Sequence, residues 1–416
     1  MTTSAEKHNV IVLGGSYGGL STAHYLVQHV VPSLPDCDIY QVIIVSPSAK
    51  VMCRPACPRA LIADEFFRQD KLFVDIDEQF EQYPKGSFRF IKGVATKFNH
   101  QARNANIRLA SDGSELVLDF HALVVATGTS TPSPLLGMNV DEVQLRAAWQ
   151  AVRLILPTAK RIVIAGGGPA GIETAGELGE YLNRRPGWLK STSSSPKVEI
   201  IVVTSGAQIL PALRPSLAKK AEDYLPKVGV TIIKNTKVTT VLPETAGTKE
   251  VASRVKVTLG NGQTLEADLY IPAYGTTPNT GFIDKSLLAP DGRIDVNVST
   301  LRVDKAGPRV YAIGDVSSAA RPAIHLTLDA IPVLCTNIKR DLLLAAGKSE
   351  SEVGSDRIFK EDTRETQLVP LGKGFGVGAA MGWQVPSFFV WAIKGRDYWL
   401  WTTGNLWSGK QWAKAS

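Results

Sequence analysis

The most regular feature of the chain is an order of hydrophobic runs that occurs twice. Val10–Leu13 (VIVL) runs straight into a glycine-rich turn and the helix-length segment YGGLSTAHYL, and the run QVIIVS follows. Solid apolar runs of four to eight residues bounded by turn signals predict strands covered on both faces, as in a parallel sheet. The stretch ANIRLASDGSELVLDF then alternates apolar and polar positions around Asp112-Gly113. Such a dipeptide predicts a tight hairpin, because both central residues of the turn need positive φ. The run ALVVATG closes the unit at Gly128. The order then recurs: RIVIAG, GGGPAGIETAGELGEYL, KVEIIVVTSG, a hairpin pattern VKVTLGNGQTLEADL turning at Asn261-Gly262, and LYIPAYG ending at Gly275. Gly14 to Gly128 and Gly166 to Gly275 are nearly equal in length. The repeat predicts an α/β chain with two interleaved Rossmann-type dinucleotide-binding domains, each a parallel sheet with an antiparallel insertion. The expected division is 1–138 with 277–345 for the first domain, 139–276 for the second, and 346–416 for a small C-terminal α+β domain.

A strand, a glycine turn and a helix in that order make a phosphate site. The first glycine forms the tight turn, the middle one lets a pyrophosphate reach the backbone, and the last lets helix and strand approach closely. The helix N-terminus adds unpaired N–H groups and about half a positive charge. Gly166, Gly168 and Gly171 fit G-x-G-x-x-G. In the first unit Gly14, Ser16 and Gly19 place a serine in the middle, among Gly15, Tyr17 and Gly18; its hydroxyl is able to bond a phosphate oxygen. Neither following strand ends in the acid that commonly bonds a ribose. Ser46 stands in the first unit, Thr204 and Ser205 in the second, which leaves both NADH and NADPH open as donors.

Composition narrows the class. With 416 residues, 44% hydrophobic and 20% charged, the chain is long enough for two or three cored domains. The net charge of +7 is scattered, with no basic helix or RNA-binding signature, so a solvated surface is expected rather than specific nucleic-acid binding. Four cysteines are too few for a secreted disulfide framework. The polar start MTTSAEKHN carries no apolar signal core, and no apolar run reaches the ~18 residues of a membrane span. A cytoplasmic protein, monomer or homodimer, without a metal site is the expectation. Six of the eight tryptophans lie after residue 380 (Trp383, Trp391, Trp399, Trp401, Trp407, Trp412) and alternate with Lys394, Arg396, Lys410 and Lys414. They make either the core of the third domain or a peripheral membrane surface. KSTSSSPK at 190–197 reads as a surface loop.

The elements GGSYGG, CPRALI, ATGTSTPSP, GGGPAGIETAGE, YAIGDV and VPSFFVWAIKGRD together resemble the apoptosis-inducing-factor-like flavoproteins, and within them the mitochondrion-associated-inducer-of-death branch that includes ferroptosis suppressor protein and fungal relatives. The resemblance implies a pyridine nucleotide-disulfide oxidoreductase-like fold, FAD in the first unit, NADH or NADPH in the second, and electron transfer to a quinone. It implies that Gly14 to Gly18 hold the FAD pyrophosphate, that Arg59 contacts the cofactor, that the Ala95 backbone meets the adenine, and that Asp315 bonds the ribityl chain near a helix N-terminus; Gly19 and Gly128 are counted with the cofactor-binding positions. It also implies that Lys394 pairs with Glu173 at the active site. Ala323 stands where close relatives often carry lysine. A peripheral site on a lipid droplet or the outer mitochondrial membrane also follows from the resemblance.

Cys53 and Cys57, four positions apart, raise a different chemistry. A flavin disulfide reductase of the glutathione-reductase type carries its pair in this part of the chain, but it also needs a C-terminal histidine, and no histidine lies beyond His325. Pro55 and Pro58 argue against a regular helix joining the two thiols. The reading therefore favours a FAD-dependent NAD(P)H oxidoreductase with a quinone-like acceptor. Disulfide reduction by Cys53 and Cys57, and a redox-sensing flavoprotein that binds DNA or a partner, are the alternatives.

Overall fold

The computed structural model describes residues 7–183 and 196–415; most of KSTSSSPK lies outside them. The strand His8–Leu13 pairs in parallel with Tyr40–Ser46 on one side and Ala122–Val125 on the other. It is an inner strand, third in a seven-stranded sheet whose spatial order is Val310–Ala312, Ala122–Val125, His8–Leu13, Tyr40–Ser46, Phe88–Asn99, Asn104–Leu109 and Glu115–Asp119. The last two strands are the predicted hairpin, laid antiparallel on the long strand Phe88–Asn99. Val310–Ala312 comes from much later in the chain and pairs in parallel with Ala122–Val125, so two distant segments build this sheet.

The second parallel sheet runs Val230–Ile233, Glu199–Val203, Arg161–Ala165, Leu269–Pro272. Its hairpin joins Val238–Leu242 in a separate antiparallel sheet of three strands. In both units the central strands are buried along most of their length, which is why their sequences read as solid apolar runs. The two glycine turns are built alike. Gly14 and Gly166 have φ of +122° and +130°, and a Cβ on either would sit 2.2 Å from a backbone oxygen, that of Ala126 or Ala273. Only glycine fits there.

A third region clamps the two. Gln367–Pro370, Gly376–Ala380 and Trp383–Gln384 form a small antiparallel sheet, followed by the short helix Ser387–Val390, a π-turn Trp391–Gly395 and the helix Leu400–Trp407. Lys394 and Tyr398 reach the second nucleotide helix, Pro169–Asn183. Trp407 and Trp412 reach the first, where His24 and His29 meet their carbonyl oxygens at 2.7 and 2.6 Å. The late tryptophans are therefore divided: Trp407 and Trp412 are core, while Trp383, Trp391 and Trp401 are exposed.

Candidate active site

A cleft of about 630 Å³ opens where the C-terminal ends of both parallel sheets meet, the place where open α/β sheets bind ligands. Ser16, Tyr17, Gly18, Gly128 and Asp315 line it from the first unit, Gly168 and Glu173 from the second, and Lys394 from the C-terminal region. Gly14, Gly15, Gly19, Gly166 and Gly171 lie behind the lining and supply clearance: a Cβ on Gly19 would fall 1.8 Å from the Gly14 oxygen, and one on Gly171 2.1 Å from the Gly166 oxygen. Gly168 has open space where its Cβ would be. Ser16 stands at the N-cap of the helix Tyr17–Tyr25 without a side-chain capping bond and lines the cleft. Asp315 sits in the turn after Val310–Ala312 and accepts a hydrogen bond from Thr129 Oγ1 at 3.4 Å. Two helix starts, glycine clearance and a carboxylate in one cleft fit a dinucleotide flavin and a nicotinamide nucleotide side by side.

The ribose positions also match between units. Ser46 lies against Gly15 and Thr204 against Gly167, each where a Cβ on the glycine would be within 2.8 Å of its side chain.

Glu173 and Lys394 form a buried ion pair at 2.5 Å, and Lys394 also donates to the Leu368 carbonyl at 3.0 Å. Burial, partly offset by Lys394, pushes the Glu173 carboxyl from 4.5 up to about 7. Glu177, one helical turn further along Pro169–Asn183, has no counterpart among the residues expected from the sequence. It accepts a bidentate pair of hydrogen bonds from Arg59, both 2.8 Å, and a third from Tyr398 Oη at 2.9 Å.

Arg59, which the resemblance gives a cofactor contact, is held here by an acid of the second nucleotide helix. Its guanidinium is buried between Glu177 and the Arg396 carbonyl and does not line the cleft. Arg54 lines it instead, donating to the Thr129 carbonyl at 3.2 Å. The second buried acid decides this, because a carboxylate stranded there without a cation would destabilise the fold by about 3–5 kcal/mol. The signal available in the sequence was the i, i+4 pair of acids in GIETAGE, which needs two cations. Ala95 lies half-buried on Phe88–Asn99, beside a bulge and outside the cleft lining.

The cysteines are free, and Cys53 and Cys57 are buried. Burial pushes the Cys53 thiol up to about 11 and that of Cys57 up to about 12, so neither is a ready thiolate. Cys53 donates to the Tyr398 carbonyl at 3.2 Å and accepts from Tyr17 Oη at 3.5 Å. Met52, Arg54, Pro55 and Pro58 reach the cleft, but the thiols between them do not. As expected from the two prolines, no regular helix joins the thiols: Cys53 lies outside the helical region and the stretch is broken into two short pieces. Each proline sits in the first turn of one piece, Arg54–Ala56 or Cys57–Ala60, where a missing N–H costs nothing.

Fold and cleft together define a two-nucleotide oxidoreductase. The chain belongs to the pyridine nucleotide-disulphide oxidoreductase family, whose model matches residues 8–332, and it uses FAD with NADH or NADPH as electron donor. Among its relatives, Oxidoreductase phnG of Penicillium herquei is 59% identical over 415 residues, covering 100% of this chain and 99% of that one. Ferroptosis suppressor protein 1 of Xenopus tropicalis is 26% identical, covering 94% of each. Among solved structures, the sulfide:quinone oxidoreductase of Aquifex aeolicus superposes with a TM-score of 0.65 at 15% identity, covering 97% of this chain and 92% of that one; at that identity the likeness concerns the fold alone.

Proposed function

We propose that this chain is a member of the apoptosis-inducing-factor-like branch and passes electrons from NADH or NADPH through FAD to a quinone-like acceptor beside Glu173 and Lys394. The observation that carries the reading is the buried pair itself. It joins the second nucleotide helix to the C-terminal region inside the cleft that both glycine loops border. FAD, when bound, supplies the exchange of a hydride from nicotinamide for electrons delivered to the acceptor. The chain supplies the rest. Met52, Leu136, Met138, Pro322 and Ile324 give the cleft apolar walls suited to a flat apolar acceptor. Reducing a quinone to a hydroquinone takes two electrons and two protons. Lys394 is placed to pass a proton to an acceptor oxygen, and Glu173, whose carboxyl burial raises to about 7, can take up a proton from solvent and hand it to Lys394, so that two passes of this relay supply both protons. With Ala323 at the N-cap of the helix Ile324–Ala345, Lys394 and Arg54 are the cations on the cleft wall among the described residues.

Anaerobic NADH or NADPH should bleach the oxidised-flavin absorbance, and a short-chain quinone should restore it. Lys394→Met should slow quinone turnover about ten- to a thousand-fold at full flavin content. Adding Glu173→Gln should cost less than the two single effects summed, since the two groups act as one. Unchanged turnover in Lys394→Met would remove this lysine from the site.

A further inference from the structure

Glu173 and Glu177, on the helix Pro169–Asn183, meet two cations brought by different segments: Arg59 by the short helix Cys57–Ala60 and Lys394 by the turn Trp391–Gly395. All four side chains are buried. Spacing on the helix does not say which cation takes which acid, but the structure sorts them fully. Both Glu177 oxygens accept from Arg59, and Tyr398 Oη adds a third bond. A planar guanidinium suits this two-oxygen grip, whereas an ammonium is a point charge. Lys394 is left to Glu173, the acid that lines the cleft.

The same group fixes the chain that carries Lys394. Tyr398 donates its backbone N–H to the Lys394 carbonyl at 2.6 Å. Its ring lies 4.8 Å from the Arg59 guanidinium and 5.7 Å from the Lys394 ammonium. Arg59 donates a further bond to the Arg396 carbonyl at 3.2 Å. The charged and titratable groups acting on Glu173 are Lys394, Glu177, Arg59 and Tyr398, and Arg59 itself lies near Glu180 and Asp397. Glu177 opposes a charge on Glu173 and Arg59 favours one. While the two are paired their effects offset, and opening the pair from either side exposes Glu173 to one of them alone.

We propose that Arg59, Glu177 and Tyr398 are positioning residues, a latch that withholds Arg59 from Glu173 and reserves Glu173 and Lys394 for each other at the cleft. The latch deepens the acceptor reading above and rests on it for its effect on turnover. The proton affinity of Glu173 reports the latch without any acceptor.

Two measurements on flavin-loaded full-length protein test it. One is the protonated-carboxyl band of Glu173 in infrared difference spectra across pH, identified as the band lost in Glu173→Gln. The other is kcat and KM for a short-chain quinone over the same range. In the wild type, band and kcat should fall together as the pH rises through about 7. Glu177→Gln frees Arg59 for Glu173 and should move both midpoints to lower pH by about one unit or more, a loss of about tenfold in kcat at pH 8 with KM little changed. Arg59→Met leaves the Glu177 charge beside Glu173 and should move them about as far to higher pH. A purely structural role would destabilise both variants without parting their profiles. Should either single variant lose flavin or melt early, Arg59→Met combined with Glu177→Gln strands no charge. Its midpoint should return to the wild-type position with kcat about tenfold lower, because the Lys394 segment is then untied. Unshifted midpoints in the single variants, or wild-type kcat in the double variant, would overturn the latch. Opposite shifts of the Glu173 band in a protein that reduces no quinone would keep the latch and remove the acceptor assignment instead.

Discussion

Glu173 and Glu177 stand one turn apart on the helix Pro169–Asn183, and both are buried. Each therefore needs a cation or a proton. Glu177 has the stronger partner in bidentate Arg59. Glu173 has a single ammonium, and burial lifts its carboxyl from 4.5 to about 7. An acid whose folded value lies above its unfolded one binds its proton more tightly in the fold. The stability it contributes is whole below about pH 4.5 and is lost as the pH rises through about 7. Melting temperature should accordingly fall between about pH 5 and pH 8 in the wild type, and the Glu173→Gln variant should show a flatter profile in that window. A wild-type profile as flat across this range as that of Glu173→Gln would mean that Glu173 is ionised throughout. The two halves of the pair also differ in cost. Removing Lys394 lets Glu173 keep its proton, whereas removing Glu173 leaves a buried ammonium, a loss of about 3 kcal/mol.

At the level of elements, the turn VMCRPACPRALI is a packing device. Arg54–Ala56 and Cys57–Ala60 follow one another, send Arg54 to the cleft and seal both thiols into the core around Leu61, Leu72 and Trp149. Cys53→Ser with Cys57→Ser should therefore leave NAD(P)H-to-quinone turnover within a few-fold. It should lower stability by about 1–3 kcal/mol for each hydroxyl left without a partner, read by denaturant unfolding. Abolished turnover with flavin retained would instead return the disulfide reading. The element that carries Lys394 is less relaxed. Its π-turn is followed by Tyr398 and Trp399 at φ of +53° and +67°, a conformation that costs non-glycine residues about 1–3 kcal/mol each and that clusters at functional sites. Bonds from Tyr398 Oη to Glu177 and from Cys53 to the Tyr398 carbonyl hold it in place.

Over the whole molecule the C-terminal region ties the two nucleotide helices together. Trp407, fully buried, packs 4.8 Å from Tyr17 of the first glycine loop, and its carbonyl accepts from His24. Burial pushes the His24 imidazole down to about 4, so it serves as a neutral donor. Trp407→Ala should open a cavity worth about 3–5 kcal/mol and loosen the loop at Tyr17. Flavin should then be released during gel filtration, while Trp383→Ala, at a position 80% exposed, keeps it. Equal flavin retention in both would separate the C-terminal clamp from cofactor binding.

Short-range physics made much of this legible from the chain alone. Apolar runs become buried parallel strands because both faces are covered, and Gly14, Gly19, Gly166 and Gly171 are needed by close approaches within their own strand–turn–helix units. Those features, with the hairpins at Asp112-Gly113 and Asn261-Gly262, are set by periodicity and backbone sterics over a few residues. Partner choice is different. Arg59 and Glu177 are 118 positions apart, and Lys394 and Glu173 are 221 apart, so no local pattern could tell that Arg59 turns inward while Arg54 faces the cleft. The pairing of Lys394 with Glu173 was legible only through family resemblance. The burial of Trp407 and the exposure of Trp401 were not legible at all, since both are tryptophans on the same helix. Which of them meets Tyr17 and which meets solvent is decided only when the C-terminal segment closes over both domains, because burial belongs to the packed surfaces and not to the residue type.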